Sequence, residues 1–121
     1  MSNPVSQRQV VLAAIFDVVA IFAFVAIGRR SHDEGNTVGG IVRVAAPFLI
    51  GLAVGWLVAR AWKAPTDTTT GMVIWPITVV VGVLLRRFVF GGGTALAFII
   101  VATIFTGALL VGWRALYRPR K

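Results

Sequence analysis

VVLAAIFDVVAIFAFVAI, residues 10–27, is a continuous apolar run that is interrupted by one acid, Asp17. The hydrocarbon core of a bilayer is about 30 Å thick, and an α-helix needs about 20 mostly apolar residues to cross it. The run is too long for the apolar region of a cleaved signal peptide, and Arg29–Arg30 stands where small cleavage-site residues would be needed. The stretch therefore predicts an uncleaved transmembrane helix with an acid inside it.

Four apolar runs divide the chain, and each is long enough, or nearly so, to cross a bilayer. We place the spans at about residues 10–27, 39–61, 71–90 and 94–113. The runs are continuously apolar rather than alternating, which is typical of helices and not of barrel strands. The loops between them are too brief to form a separate domain. The sequence therefore predicts an all-α membrane protein, a compact four-transmembrane-helix bundle that forms a single domain over residues 1–121.

The composition excludes several classes of protein. Of the 121 residues, 58% are hydrophobic and 13% are charged, whereas a soluble domain is about half apolar and a quarter charged. The chain has no cysteine, so disulfides and thiolate metal sites are excluded. The single histidine, His32, lies beside Asp33 and Glu34 without a second cluster of ligands, so we expect no metal and no other cofactor. No nucleophile–base pair lies within a span, so we also expect no enzymatic activity.

The net charge of +8 is distributed over the ends of the spans. Both termini of a four-span protein lie on one side, which here carries seven basic residues: Arg8, Arg60, Lys63, Arg114, Arg118, Arg120 and Lys121. The other side carries five: Arg29, Arg30, Arg43, Arg86 and Arg87. Because basic residues are enriched in cytoplasmic loops, we expect cytoplasmic termini in a bacterial inner membrane, with inverted or dual insertion as the alternative. The charges are not gathered on one soluble face, so we expect no nucleic acid partner.

An internal duplication is indicated when the chain is shifted by 57 residues. The shift places Arg29–Arg30 on Arg86–Arg87, and Val54–Gly55–Trp56 on Val111–Gly112–Trp113. Each unit contains two spans, so the copies would be parallel repeats about an axis normal to the membrane. The alternative is a set of chance matches in a biased composition. If the repeat is real, it predicts two similar helical hairpins.

Asp17 is the most informative residue, because it alone among the acids lies inside a span. An acid at the bilayer centre costs on the order of 3 kcal/mol, so it should face the bundle interior and find partners there. Thr78, Thr103 and Thr106 fall near the same depth, and their hydroxyls predict an intramembrane polar cluster with Asp17. With no cation expected nearby, desolvation favours the neutral acid. Two interpretations stay open: a proton or cation relay, and a hydrogen-bonded structural acid that fixes helix register.

Small residues predict where the helices touch, because helices in lipid associate through close packing. Gly51 and Gly55 form a GxxxG match in the second span, and Gly107 shares a face of the fourth span with Thr103. The second-span stripe predicts packing inside the bundle, with a homodimer contact as the alternative. The tryptophans lie towards the terminal side, which is typical of an aromatic belt at the membrane interface: Trp56, Trp62, Trp75 and Trp113.

Two Arg-Arg pairs, Arg29–Arg30 and Arg86–Arg87, lie on the side opposite the termini. A guanidinium group matches the geometry of phosphate, so these arginines are candidate contacts for an anion or a lipid head group. Plain charge at the membrane boundary is the alternative. We therefore expect the lipid bilayer, with anionic lipids, as a partner, together with a homo-oligomer or a larger membrane complex.

Several short motifs resemble those of a family of small prokaryotic membrane proteins. They are Gly28-Arg-Arg-Ser-His32, Pro47-Phe48, Trp75-Pro-Ile-Thr78, Leu85-Arg-Arg87 and Gly112-Trp-Arg114. The family is DUF3054, a domain of unknown function, and the resemblance covers nearly the whole chain. It implies four spans and no particular activity, so it supports the architecture and adds no mechanism.

Two functions stay open. The favoured one is a non-catalytic membrane scaffold or accessory protein, or a lipid-binding protein. The alternative is a small transporter or channel-like protein with a proton or cation relay at Asp17. A polar, hydrated cavity at Asp17 would favour transport, whereas a dry bundle with an exposed Gly51/Gly55 groove would favour the scaffold.

Overall fold

The computed structural model of the chain describes residues 6–31, 38–89, 91 and 96–117, and the side chains of all of these except residues 29–31 and 38. The described residues form the α-helices α1 (Gln7–Ser31), α2 (Val38–Ala59), α3 (Thr68–Phe88) and α4 (Leu96–Leu116). A short 3-10 turn, Ala61–Lys63, follows α2. All four α-helices are long and apolar enough to cross a membrane. The predicted all-α fold, a bundle of four membrane helices, is confirmed.

The helices form a ring in which each packs against two neighbours. Helices α1 and α3 both pack against α2 and α4. Because the connections are short, successive helices run antiparallel. We call the end that holds the first turn of α1, the Ala61–Lys63 turn and the last turn of α4 the terminal end. The opposite end, where α1 connects to α2 and α3 to α4, is the distal end.

Two of the extensions beyond the predicted spans bear on the site, one in α3 and one in α4. Helix α3 begins at Thr68 rather than residue 71, after Asp67 in an extended conformation (φ −73°, ψ 138°). The hydroxyl of Thr70 donates a hydrogen bond to the carbonyl of Ala64 (2.6 Å), which ties this first turn to the preceding loop. Helix α4 continues to Leu116, so Arg114 lies inside a helix rather than in a tail. The apolar content of the sequence underestimates both helices, because polar residues continue each one.

Glycines bring α2 and α3 into close contact. A Cβ atom on Gly51 would lie 2.7 Å from the carbonyl oxygen of Thr78, and one on Gly55 would lie 3.2 Å from the Cα of Ile74. Both glycines are buried. Their stripe packs inside the bundle and leaves no exposed Gly51/Gly55 groove, so the groove expected for a scaffold is not formed by these residues.

An aromatic cluster fills the distal end. The ring centroids of Phe24 and Phe48 are 5.4 Å apart, and both rings lie near Phe98, at 6.3 and 6.0 Å. The ring of Phe48 packs directly over Gly82 of α3, where a Cβ atom would clash with it. Phenylalanines from α1, α2 and α4 and a glycine from α3 therefore join the four helices at this end.

Candidate functional site

The terminal end of the bundle contains a buried ion pair between Asp17 of α1 and Arg114 of α4. Asp17 is 0% exposed and Arg114 is 2% exposed. The two guanidinium nitrogens Nη1 and Nη2 donate to the carboxylate oxygens Oδ1 and Oδ2, each at 2.8 Å. This is the bidentate geometry in which a guanidinium group binds a carboxylate most strongly. The acid inside the first span therefore has a counter-charge from the last helix.

Two tryptophans complete the shell of donors around the Asp17 carboxylate. The indole Nε1 of Trp56 in α2 donates to Oδ2, and the indole Nε1 of Trp113 in α4 donates to Oδ1, both at 2.8 Å. An ionised carboxylate offers about four lone-pair sites, and four N–H groups now occupy them. Both carboxylate oxygens therefore accept two hydrogen bonds each, one from an indole and one from the guanidinium group.

Arg114 also links the pair to the loop between α2 and α3. Its Nε donates to the carbonyl of Pro65 (2.8 Å), and its Nη1 donates to the carbonyl of Leu110 (3.0 Å). The side chain of a helical residue leans towards the helix N-terminus, which here directs the guanidinium group into the bundle. Gly71 of α3 leaves room for it, because a Cβ atom there would lie 2.9 Å from the Arg114 Cδ. The site thus joins all four helices and one loop.

An aromatic wall shields the ion pair on one side. The Arg114 Cζ lies 4.4 Å from the ring centroid of Trp113, in the geometry of a cation–π interaction. Phe16 packs edge-on against the same indole, with ring centroids 5.0 Å apart. The desolvated pair is therefore surrounded by hydrogen-bond donors and aromatic faces, which offset the cost of removing two charges from water.

The predicted polar cluster of Asp17 with three threonines is wrong in its partners. The Thr103 hydroxyl donates to the carbonyl of Ile99 (2.7 Å), and the Thr106 hydroxyl donates to the carbonyl of Ala102. Thr78 is fully buried, and its hydroxyl has no hydrogen-bond partner among the described residues. The hydroxyls of Thr103 and Thr106 are thus satisfied on the preceding turn of their own helix, which leaves them no donor for a neighbouring helix.

The expectation that no cation lies near Asp17 is also wrong, for a related reason. It follows from the sequence, which places Arg114 among the charges of a flanking tail. In the structure Arg114 is a helical, buried residue whose guanidinium group contacts both carboxylate oxygens. Two features of the sequence could have identified Arg114. An acid inside the membrane needs a counter-charge, and Arg114 is the basic residue that directly follows the last apolar run.

Three of the four tryptophans form hydrogen bonds within the bundle, rather than only a belt at the membrane interface. Besides the two that bind Asp17, Trp75 donates its indole N–H to the carbonyl of Thr103 (2.8 Å). Its ring fills the space beside Gly107, where a Cβ atom would lie 2.8 Å from the indole nitrogen. Gly107 therefore packs against α3, and its small size admits Trp75. Trp62 is 43% exposed, as a residue of an interfacial belt would be.

The arginines proposed as anion contacts are only partly described. The Arg86 Cζ lies 4.7 Å from the ring centroid of Phe98, and the Arg87 Cζ lies 5.9 Å from that of Phe88. The side chains of Arg29 and Arg30, the charged residues 32–34 and the glycines at 92 and 93 lie outside the described residues. The anion or head-group role of the Arg-Arg pairs stays a prediction.

The donors of the site bear on the predicted duplication. Trp56 and Trp113 are equivalent under the shift of 57 residues, and they bind opposite oxygens of the same carboxylate. Asp17 corresponds to the buried Ile74 under the same shift, so the two proposed copies differ at the charged position. The duplication itself stays a prediction.

Comparison with known proteins adds the family. A family model described as "Protein of unknown function (DUF3054)" matches residues 14–117, so the chain belongs to this family, as its motifs indicated. The matched region includes Asp17, Trp56, Trp113 and Arg114. No curated protein and no solved structure matches the chain significantly.

Proposed function

We propose that this member of the DUF3054 family is a non-catalytic scaffold or accessory protein of the bacterial inner membrane, with both termini in the cytoplasm. The observation that carries the proposal is the saturated Asp17–Arg114 pair. It ties α1 to α4 directly, α2 through Trp56 and the α2–α3 loop through Pro65. Such a site has the features of a structural lock.

The same geometry argues against the alternative, a proton or cation relay at Asp17. A relay group must release and rebind its proton, or exchange its cation, without losing the surrounding structure. Protonation of Asp17 would disrupt a bidentate ion pair and its two tryptophan hydrogen bonds in a fully buried position. A protein that is locked in this way supports an assembly by presenting a constant surface rather than by cycling between states.

The outer surface of the bundle is suited to contacts within the bilayer. Large apolar side chains are exposed on all four helices, for example Val19 (57%), Leu57 (67%), Val80 (56%) and Ile104 (62%). In lipid such a surface contacts acyl chains or other apolar helices at similar cost. A larger membrane complex, or a second copy of the chain, is the partner that this proposal expects.

Ion flux in proteoliposomes tests the proposal against the relay. The wild-type chain, Asp17→Asn and Asp67→Asn are reconstituted, and proton and potassium flux are followed under an imposed gradient, with an ionophore as the positive control. Asp67 is an exposed acid that makes no capping hydrogen bond, so it is a matched control for the loss of a carboxylate. We expect the flux in all three samples to equal that of empty vesicles. Flux above that level that disappears only in Asp17→Asn would overturn the proposal.

The assembly role and the orientation need separate measurements. The native mass of the chain after mild detergent extraction should exceed that of the 13.0 kDa monomer by more than the bound detergent. A wholly monomeric chain would contradict an accessory role. A reporter fused to the C-terminus should be active only in its cytoplasmic form, and activity restricted to the outer face would reverse the orientation.

A further inference from the structure

An open apolar groove of about 600 Å³ lies between α1 and α2 at the terminal end. Its walls come from Ala14 and Val18 of α1, from Leu49, Ala53 and Leu57 of α2, and from Trp62 of the turn that follows. The ring of Trp56 also lines the groove, and its indole N–H donates to Asp17. The groove and the buried ion pair therefore share the side chain of Trp56.

The dimensions of the groove fit one acyl chain. Leu49 and Leu57 are eight residues apart on α2, which corresponds to about 12 Å along a helix. One leaflet contributes half of a hydrocarbon core of roughly 30 Å. The groove therefore runs through most of the depth that an acyl chain occupies on the terminal side. Leu57 is 67% exposed, so the groove opens outwards to lipid.

Two basic residues lie beside the terminal end of the groove. Arg60 directly precedes the 3-10 turn that contains Trp62, Lys63 ends it, and both basic residues are exposed. Neither makes an ion pair within the described part of the chain, where Asp17 pairs with Arg114. Arg60 has a left-handed backbone conformation (φ 50°), which is uncommon for a residue with a Cβ atom and turns the chain sharply after α2. The turn places Trp62 in the groove and leaves the two cations outside it.

We propose that this groove binds an anionic phospholipid, with one acyl chain between α1 and α2 and the phosphate at Arg60 and Lys63. The two basic residues lie beside the terminal end of the groove, and the apolar walls continue from there towards the bilayer centre. A phospholipid has the same order, with its phosphate at the surface and its acyl chains below. A tryptophan between them is typical of the interface region. At the distal end, by contrast, the guanidinium groups of Arg86 and Arg87 lie against phenyl rings. The proposal is independent of the scaffold function, because a transporter could hold the same lipid.

Spin-labelled lipids test the site in the full chain. The protein is reconstituted in phosphatidylcholine vesicles that contain a trace of labelled phosphatidylglycerol or labelled phosphatidylcholine, and the motionally restricted fraction is measured by electron paramagnetic resonance. We expect the wild type to prefer phosphatidylglycerol. In the variant Arg60→Gln/Lys63→Gln, the preference for phosphatidylglycerol should fall by a factor of about five for each charge removed. Arg43→Gln removes a charge from an exposed distal position outside the Arg-Arg pairs and should keep the preference.

A second pair of variants tests the apolar part without changing the charge. Ala53→Phe fills the groove and should lower the restricted fraction of phosphatidylglycerol to that of phosphatidylcholine. Ala108→Phe adds the same ring at an exposed position of α4, outside the groove, and should have no effect. The proposal is overturned if the wild type shows no preference, if both charge variants lose it equally, or if Ala53→Phe binds the lipid as the wild type does.

Discussion

The two ends of the bundle join the same four helices by opposite means. At the terminal end an ion pair with four N–H donors connects them, whereas at the distal end phenylalanine rings pack on one another and on a glycine. Lipid tails are as apolar as leucine, so the distal contacts gain packing but little from burial itself. A charge left unpaired at membrane depth, by contrast, is costly. The comparison indicates that the terminal end determines which helices meet and in what register, and that the distal end fills space.

The largest expected effect is that of Asp17→Asn. The variant leaves the Arg114 guanidinium buried without its counter-charge, and loss of one partner of a buried pair costs about 3–5 kcal/mol. The free energy of unfolding, measured by denaturation with sodium dodecyl sulfate in mixed micelles, should fall by that amount. Asp67→Asn, at an exposed position, should change it by less than about 0.5 kcal/mol.

A double-mutant cycle separates the pair from its surroundings. If the cost of Asp17→Asn comes from the abandoned charge, then Asp17→Asn/Arg114→Gln should be more stable than the sum of the single variants predicts, by up to about 3 kcal/mol. Strict additivity would mean that the two side chains stabilise the bundle independently, and the contrast between its ends would lose its basis.

A smaller effect is expected at the distal end from Phe48→Ala. The phenyl ring is fully buried against Gly82, so its removal leaves a cavity. We expect a loss of roughly 2 kcal/mol, below the usual cost in a water-soluble core, because the surrounding lipid removes the transfer contribution. Phe88→Ala, at a ring that is 74% exposed, is the control and should be nearly neutral. A cost for Phe48→Ala above that for Asp17→Asn would reverse the ranking of the two ends.

Glycine substitutions test the contacts between the ends. Gly107→Ala should displace the Trp75 ring and cost about 1–2 kcal/mol through overpacking. A Cβ atom on Gly112 would meet no atom of another helix within 4 Å, so Gly112→Ala should be neutral or slightly stabilising through helix propensity. Equal effects at the two positions would show that α4 does not pack through Gly107.

The smallest effect, with the opposite sign, is expected from Thr78→Val. The Thr78 hydroxyl is buried without a partner in the part of the chain that the structure describes, so its replacement by a methyl group should stabilise the bundle by up to about 1 kcal/mol. Thr106→Val removes a hydroxyl that is satisfied by its own helix, and it should leave stability nearly unchanged. Destabilisation by Thr78→Val would mean that this hydroxyl has a binding role.

The sequence predicts the helices better than the site, and the reason is physical. Apolar runs of bilayer length are a local signal, so the four helices follow from composition. The partners of Asp17 lie 39, 96 and 97 residues away along the chain, and they depend on which helix faces meet. Depth matching selects threonines at the right level, but it ignores that a threonine hydroxyl can bond to its own helix, as those of Thr103 and Thr106 do. The sequence does not predict Arg114 as a buried partner, because α4 continues past the apolar run that defines the predicted span.

The indole N–H groups provide the most direct test of the buried Asp17–Arg114 site at the terminal end. In a proton–nitrogen correlation spectrum of the detergent-solubilised chain, Trp56 and Trp113 should show downfield, exchange-protected indole signals because both donate to the Asp17 carboxylate. In Asp17→Asn these two signals should both shift and exchange faster, while the signal of Trp75, which donates to a carbonyl, should be unchanged. Asp67→Asn should leave all of them in place. If the indole signals of Trp56 and Trp113 keep their shifts and exchange rates in Asp17→Asn, the account is contradicted.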